Sequence, residues 1–153
     1  MYSRSETAQL KQEFWIAFGK YLALHNNCEG NRINWVNYHT GHKHLYFRME
    51  ATQRNASISI QLSHEDSLMR EMYYDRFLSF SKIISSVLQE EWNWELNRLD
   101  ASGRNIAYIG IELNGVNVLD KSTWPEIISF LKPRMILLDE VWNDIKDAFE
   151  DLR

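Results

Sequence analysis

The chain has 153 residues, 44% hydrophobic and 25% charged, proportions that fit one globular domain over residues 1–153 and exclude a disordered or fibrous chain. Seventeen Lys and Arg stand against 21 Asp and Glu, a net charge of −4, so a broad basic surface for nucleic acid is not expected. Cys28 is the single cysteine, which excludes an internal disulfide and thiolate-rich zinc patterns. With no leader-like stretch and no run approaching ~20 apolar residues, a cytoplasmic protein outside the membrane is expected.

The first predicted element is a helix from Ser5 to about Leu24, because Leu10, Phe14, Ala17, Phe18 and Tyr21 recur on one helical face. HNNCEGN ends it with residues that favour turns. INWVNYHT, KHLYFRMEA and ASISIQLSH then alternate with period two and predict three strands. In the third, Ala56, Ile58, Ile60 and Leu62 share one face, with Ser57, Ser59, Gln61 and Ser63 on the other.

After His64 the period becomes helical. Met69, Tyr73, Phe77, Phe80, Ile84 and Val87 form one stripe to about Glu91. WNWELNRL and IAYIGIEL flank the turn DASGRN and predict a second hairpin. LNGVNVLDKS reads as a loop or short strand. Thr123, with Pro125 in the first turn and Glu126 at capping-box spacing, predicts the start of a last helix, which Pro133 should kink or split. The order helix, three strands, helix, two strands, helix is α+β, with a largely antiparallel sheet covered by helices on one face.

Several groups of residues invite chemistry. NYHTGHKHLYFRME carries His39, His42 and His44, which share the polar face of a hairpin if its loop is even. Metal binding by them lacks support, because no Asp or Glu lies between Gly30 and Glu50 to complete the ligand set. The strand order also fits a Mg²⁺-dependent nuclease, for which Glu50, Gln61 and Glu65 are the available residues. The lysine such a site uses is absent, and Gln61-Leu62-Ser63 occupies its place. Trp92 and Trp94, with Arg48, form the nucleic-acid-binding alternative, but Glu91 and Glu95 flank the indoles and repel phosphate.

Two surfaces remain. Arg48 and Glu50, beside Ser57, Ser59 and Gln61, line the polar face of the first sheet segment and are the main binding-surface candidates, with Trp92 and Trp94 added from the second hairpin. Met135, Leu138, Trp142, Ile145, Phe149 and Leu152 recur at alternating three- and four-residue spacing, the seam of a coiled coil. Leu138, Trp142, Ile145 and Phe149 are therefore either buried under the last helix or form the interface of a homodimer.

Taken together, EFWIAFGKYL, WVNYHTG, LYFRME, SISIQLSH, EEWNWE and WPEIISFLKPRMILLDEVWNDIKDAFE resemble the bacterial domain-of-unknown-function family 4268, from about Leu10 to Phe149. The resemblance implies an accessory or interaction module in a DNA-related or defence setting, and it carries no catalytic residues. The expectation is thus a non-enzymatic module acting through a protein partner or a second copy, without a cofactor. The nuclease-like and nucleic-acid-binding readings are the alternatives.

Overall fold

A computed structural model of the chain describes residues 2–153. Helix α1 (Arg4–Leu22) begins where the Ser3 hydroxyl accepts the Glu6 N–H at 3.1 Å, and it buries Phe14, Phe18 and Leu22 completely. An irregular arm, residues 23–44, leads to strands β1 (Leu45–Ala51) and β2 (Asn55–Leu62). Helices α2 (Ser67–Ser79) and α3 (Ser81–Leu88) follow, then strands β3 (Asn93–Leu99) and β4 (Asn105–Asn114). Helix α4 (Trp124–Ile145) ends the order, extended by a 3-10 stretch, Lys146–Leu152. The four strands form one antiparallel sheet in the order β1-β2-β4-β3.

The core lies on one face of that sheet. Ala56, Ile58, Ile60 and Leu62 of β2 are wholly buried and pair with Leu45, Phe47, Met49 and Ala51 of β1. Helices α2 and α4 both lie against β2, and the apolar residues of all four helices join the same cluster. Ile106 and Tyr108 point to the opposite face; both are buried, yet neither belongs to that cluster. The α+β architecture with helices on one face is therefore as the periodicity predicts.

Four expectations need correction. INWVNYHT forms no strand, because side chains compete for its backbone: Asn34 Oδ1 accepts the Asn37 N–H at 3.1 Å, and Thr40 Oγ1 accepts the His42 N–H at 3.2 Å. The long helix after His64 is broken at Phe80, whose backbone (φ −100°, ψ 12°) leaves the helical region; at the residue before it, Ser79 Oγ donates back to the Arg76 carbonyl at 2.6 Å. Thr123 stands at the start of α4 without capping it. Its hydroxyl is engaged with the preceding loop, donating to the carbonyls of Asn117 and Asp120. Pro133 does not split α4, which runs unbroken past it with the ring on the exposed side.

The seam of α4 is taken up inside the chain. Leu138 and Phe149 are fully buried, and Trp142 and Ile145 are 2% and 3% exposed. Phe77, Trp142 and Phe149 pack ring against ring at 4.6 to 6.0 Å. These residues offer no exposed stripe to a second copy.

Candidate functional site

The helix-free face of the sheet carries the predicted polar residues in a defined register. Glu50 pairs with Ser57, which pairs with Glu112; Arg48 pairs with Ser59, which pairs with Gly110; Tyr46 pairs with Gln61, which pairs with Tyr108. Arg48, Glu50 and Gln61 thus share one surface, as period-two alternation requires. Trp92 and Trp94 do not belong to it. Trp92 is 5% exposed and donates its indole N–H to Glu90, while Trp94 pairs with Ile109 on the core face and meets Tyr74 edge-on. Their flanking acids therefore bracket core aromatics, not a stacking platform.

Tyr108 organises this face. Its ring lies flat over Gly110, where a Cβ would stand 2.5 Å from Tyr108 Cζ and 2.7 Å from Ser59 Cβ, so only glycine admits the ring. The Arg98 guanidinium covers the ring at 3.9 Å and is held by Glu95 at 2.9 Å and Glu112 at 3.3 Å. Beside it, Gln61 Nε2 donates to Ser59 Oγ at 3.0 Å, which explains why Ser59 is 1% exposed on a face without a helix. The Tyr108 hydroxyl is buried and has no hydrogen-bond partner, and burial pushes its pKa up. A recess of about 220 Å³ opens here, lined by Glu50, Ser57, Gln61, Arg98, Tyr108 and Glu112.

Chemically, this surface carries mixed charge. Arg48 and Arg98 alternate with Glu50, Glu95 and Glu112, and no nucleophile is bonded to a base. The residues named for a nuclease are not assembled: Gln61 and Glu50 are four register positions apart, about 13 Å along the ladder. Glu65 lies past the end of β2 and is exposed. Among the described residues no group of three His, Cys, Asp or Glu could hold a metal ion.

The three histidines are likewise separated, because the hairpin that would align them is an irregular arm. His39 lines a pocket against α4, His42 is buried with Nδ1 2.7 Å from the Tyr73 hydroxyl, and His44 lies against His64 with ring centroids 5.2 Å apart.

What fastens the arm is a residue that local patterning does not single out. Asp139, 1% exposed in the middle of α4, accepts the Cys28 N–H at 2.9 Å, the Tyr38 hydroxyl at 2.5 Å and Asn143 Nδ2 at 3.2 Å. A buried carboxylate is tolerable only with this many donors. Burial first, and then Asp139, push the pKa values of the Tyr38 phenol and the Cys28 thiol up. Above this latch lies a pocket of about 260 Å³, where Lys146 Nζ bridges Glu29 at 3.1 Å and Asn143 at 2.9 Å.

Sequence signals for both missed groups exist. Asp139 and Asn143 are four apart and so face the same way on a helix, and an isolated glycine inside IAYIGIEL marks a close approach two residues from Tyr108.

The family model for a domain of unknown function, DUF4268, matches residues 10–146. The chain belongs to the DUF4268 family. No curated protein and no solved structure matches it. Within this DUF4268 chain, no helix among the described residues is long and apolar enough to cross a membrane.

Proposed function

We propose that this DUF4268 chain is a non-enzymatic binding module that presents the helix-free face of its sheet to a partner protein. The observation that carries the reading is the Tyr108 hydroxyl, desolvated beneath Arg98 and left without a partner on a surface that no helix covers. Such a group costs about 1–3 kcal/mol, and a partner whose carboxylate draws the Arg98 guanidinium outward uncovers the hydroxyl and can accept from it. Alternating guanidinium and carboxylate groups favour a polypeptide of mixed charge; the three carboxylates around Arg98 and Glu50 oppose a phosphate backbone. The α4 seam is occupied internally, which favours the sheet over that helix as the partner's site. Cytoplasmic residence belongs to the proposal, and a setting beside DNA-processing or defence enzymes comes from the family resemblance, not from the geometry.

Site-specific photo-crosslinking in cells tests the proposal, with a photoreactive amino acid in place of Arg48 on the sheet face or of Glu71 on the outside of α2. One protein should be captured from position 48 and not from 71. That protein, once purified, should bind the wild-type chain and lose about tenfold in affinity for Arg98→Ala. Adducts that form equally from both positions, or binding indifferent to Arg98, would reject the reading.

A further inference from the structure

A third cleft, about 490 Å³ in volume, lies where the arm rejoins the sheet and is lined by Lys43, His44, His64, Met69, Tyr73 and Arg153, with Gly41 and Leu152 completing it. In a chain of net charge −4, no Asp or Glu is among these lining residues. The one acid bonded to a lining residue is Glu150, 3.3 Å from Arg153, and both side chains are 56% exposed, so solvent screens the pair and leaves the guanidinium free to turn.

Two features of the cleft are unusual for a plain surface. His44 takes a left-handed backbone conformation (φ 65°), uncommon for a residue with a Cβ, and its carbonyl is fixed there by the Ser63 N–H at 2.9 Å. His64 is 7% exposed and stacks on Tyr73 at 4.7 Å, yet its Nδ1 has no hydrogen-bond partner; nor has Nε of Arg70, although Arg70 Nη1 donates to the His64 carbonyl at 2.7 Å. Burial, followed by the nearby His44 and Arg70 charges, lowers the pKa of His64 to about 4 against a smaller opposing pull from Asp66. At neutral pH it therefore offers hydrogen bonds and no charge.

We propose that this cleft binds a phosphate monoester carrying a planar body, the class to which 5′-mononucleotides belong. Lys43 and Arg153 supply an exposed ammonium and a forked guanidinium for the phosphate. The cleft is several times larger than a phosphate needs, and the exposed His44 imidazole beside Met69 and Leu152 provides a flat and apolar wall for the body. The N–H groups at the start of α2 play no part, because Asp66 already accepts those of Leu68 and Met69. This site is separate from the sheet face, and its test does not depend on a protein partner.

The test follows the ring resonances of His44 and His64 by NMR while inorganic phosphate or adenosine 5′-monophosphate is added to the whole chain. Both probes should shift the two histidines saturably, and the nucleotide should bind at least about tenfold more tightly than phosphate. Lys43→Ala and Arg153→Ala, exposed changes that leave the fold intact, should each weaken both probes about tenfold. His44→Ala should weaken the nucleotide and spare phosphate. Absence of a saturable shift with either probe, equal affinity for the two, or binding unchanged in Lys43→Ala and Arg153→Ala would overturn the proposal.

Discussion

The arm and the sheet are both rich in aromatic and β-branched residues, yet they are held in place by different means. The strands carry their order in a backbone ladder, β1 to β2 to β4 to β3, and their side chains only add to it. The arm has no ladder. Its order comes chiefly from side chains that reach far along the chain, Tyr38 and the Cys28 N–H on Asp139 and the Trp142 indole on the Thr40 carbonyl at 3.1 Å, with the Thr40 hydroxyl adding a local bond to the Leu45 carbonyl at 3.0 Å. A ladder distributes its stability over many bonds, so one substitution weakens it gradually. The arm rests on a few anchors, two of which meet on one carboxylate, and a single substitution there should loosen it.

The largest effect should therefore come from Asp139→Ala, which orphans the Cys28 N–H and the Tyr38 hydroxyl together, while Asn143 Nδ2 keeps the Asp139 carbonyl at 2.9 Å. The expected loss is about 3 kcal/mol or more, read as a lower urea midpoint. Hydrogen exchange should show the amides of residues 26–44 losing protection while those of β2 and β4 keep theirs. Asp139→Asn, which retains one acceptor, should cost less. Equal loss of protection in arm and sheet would erase the distinction between the two regions.

Acid sharpens the same contrast, because His42 and His64, whose pKa values are lowered chiefly by burial, both lie at the junction of arm and sheet. The unfolded histidine, near 6.5, binds a proton that folded His64 refuses until about 4. Its contribution to stability is therefore complete above 6.5 and is lost as pH falls from 6.5 toward 4, by roughly 3 kcal/mol. Urea midpoints measured across that window should fall in the wild type and fall less in His64→Gln. A slope unchanged by the substitution would remove His64 from the account.

Within the sheet, Gly110→Ala should cost about 2 kcal/mol, since the new methyl meets both the Tyr108 ring and the immobile Ser59 Cβ. Circular dichroism should show the sheet intact with a lower thermal midpoint. Tyr108→Ala should recover part of that loss and not all of it, because the Ser59 contact remains. Full recovery would make the ring alone responsible.

The smallest effect is expected where the loop between α3 and β3 is tied to α4. Arg134 grips Glu90 through two bonds of 2.7 and 2.9 Å, and both side chains are about one-quarter exposed. Glu90→Gln should lower stability by about 1 kcal/mol, with less effect at high salt. A loss as large as that of Asp139→Ala would place this pair among the anchors of the fold.

Much of the architecture is legible in local pattern. The alternation in ASISIQLSH and IAYIGIEL reports which side chains meet the core, and the stripe through Leu138, Trp142, Ile145 and Phe149 reports a buried helical face, because burial repeats with the geometry of the backbone. The same pattern places Arg48, Glu50 and Gln61 on one surface. It cannot say whether a stripe is buried against the chain itself or against a second copy, since both present the same apolar period.

The arm lies beyond that kind of information altogether. INWVNYHT alternates as a strand does, but the Tyr38 hydroxyl finds its acceptor 101 residues away and the Cys28 N–H finds the same carboxylate 111 residues away. Likewise, the Tyr108 hydroxyl becomes a buried, unpaired group only once β3 brings Arg98 over its ring. Period and composition fix what can be decided between neighbours in the chain. Where a polar group finds its partner is a matter of desolvation in the assembled interior, and the tertiary structure alone decides it.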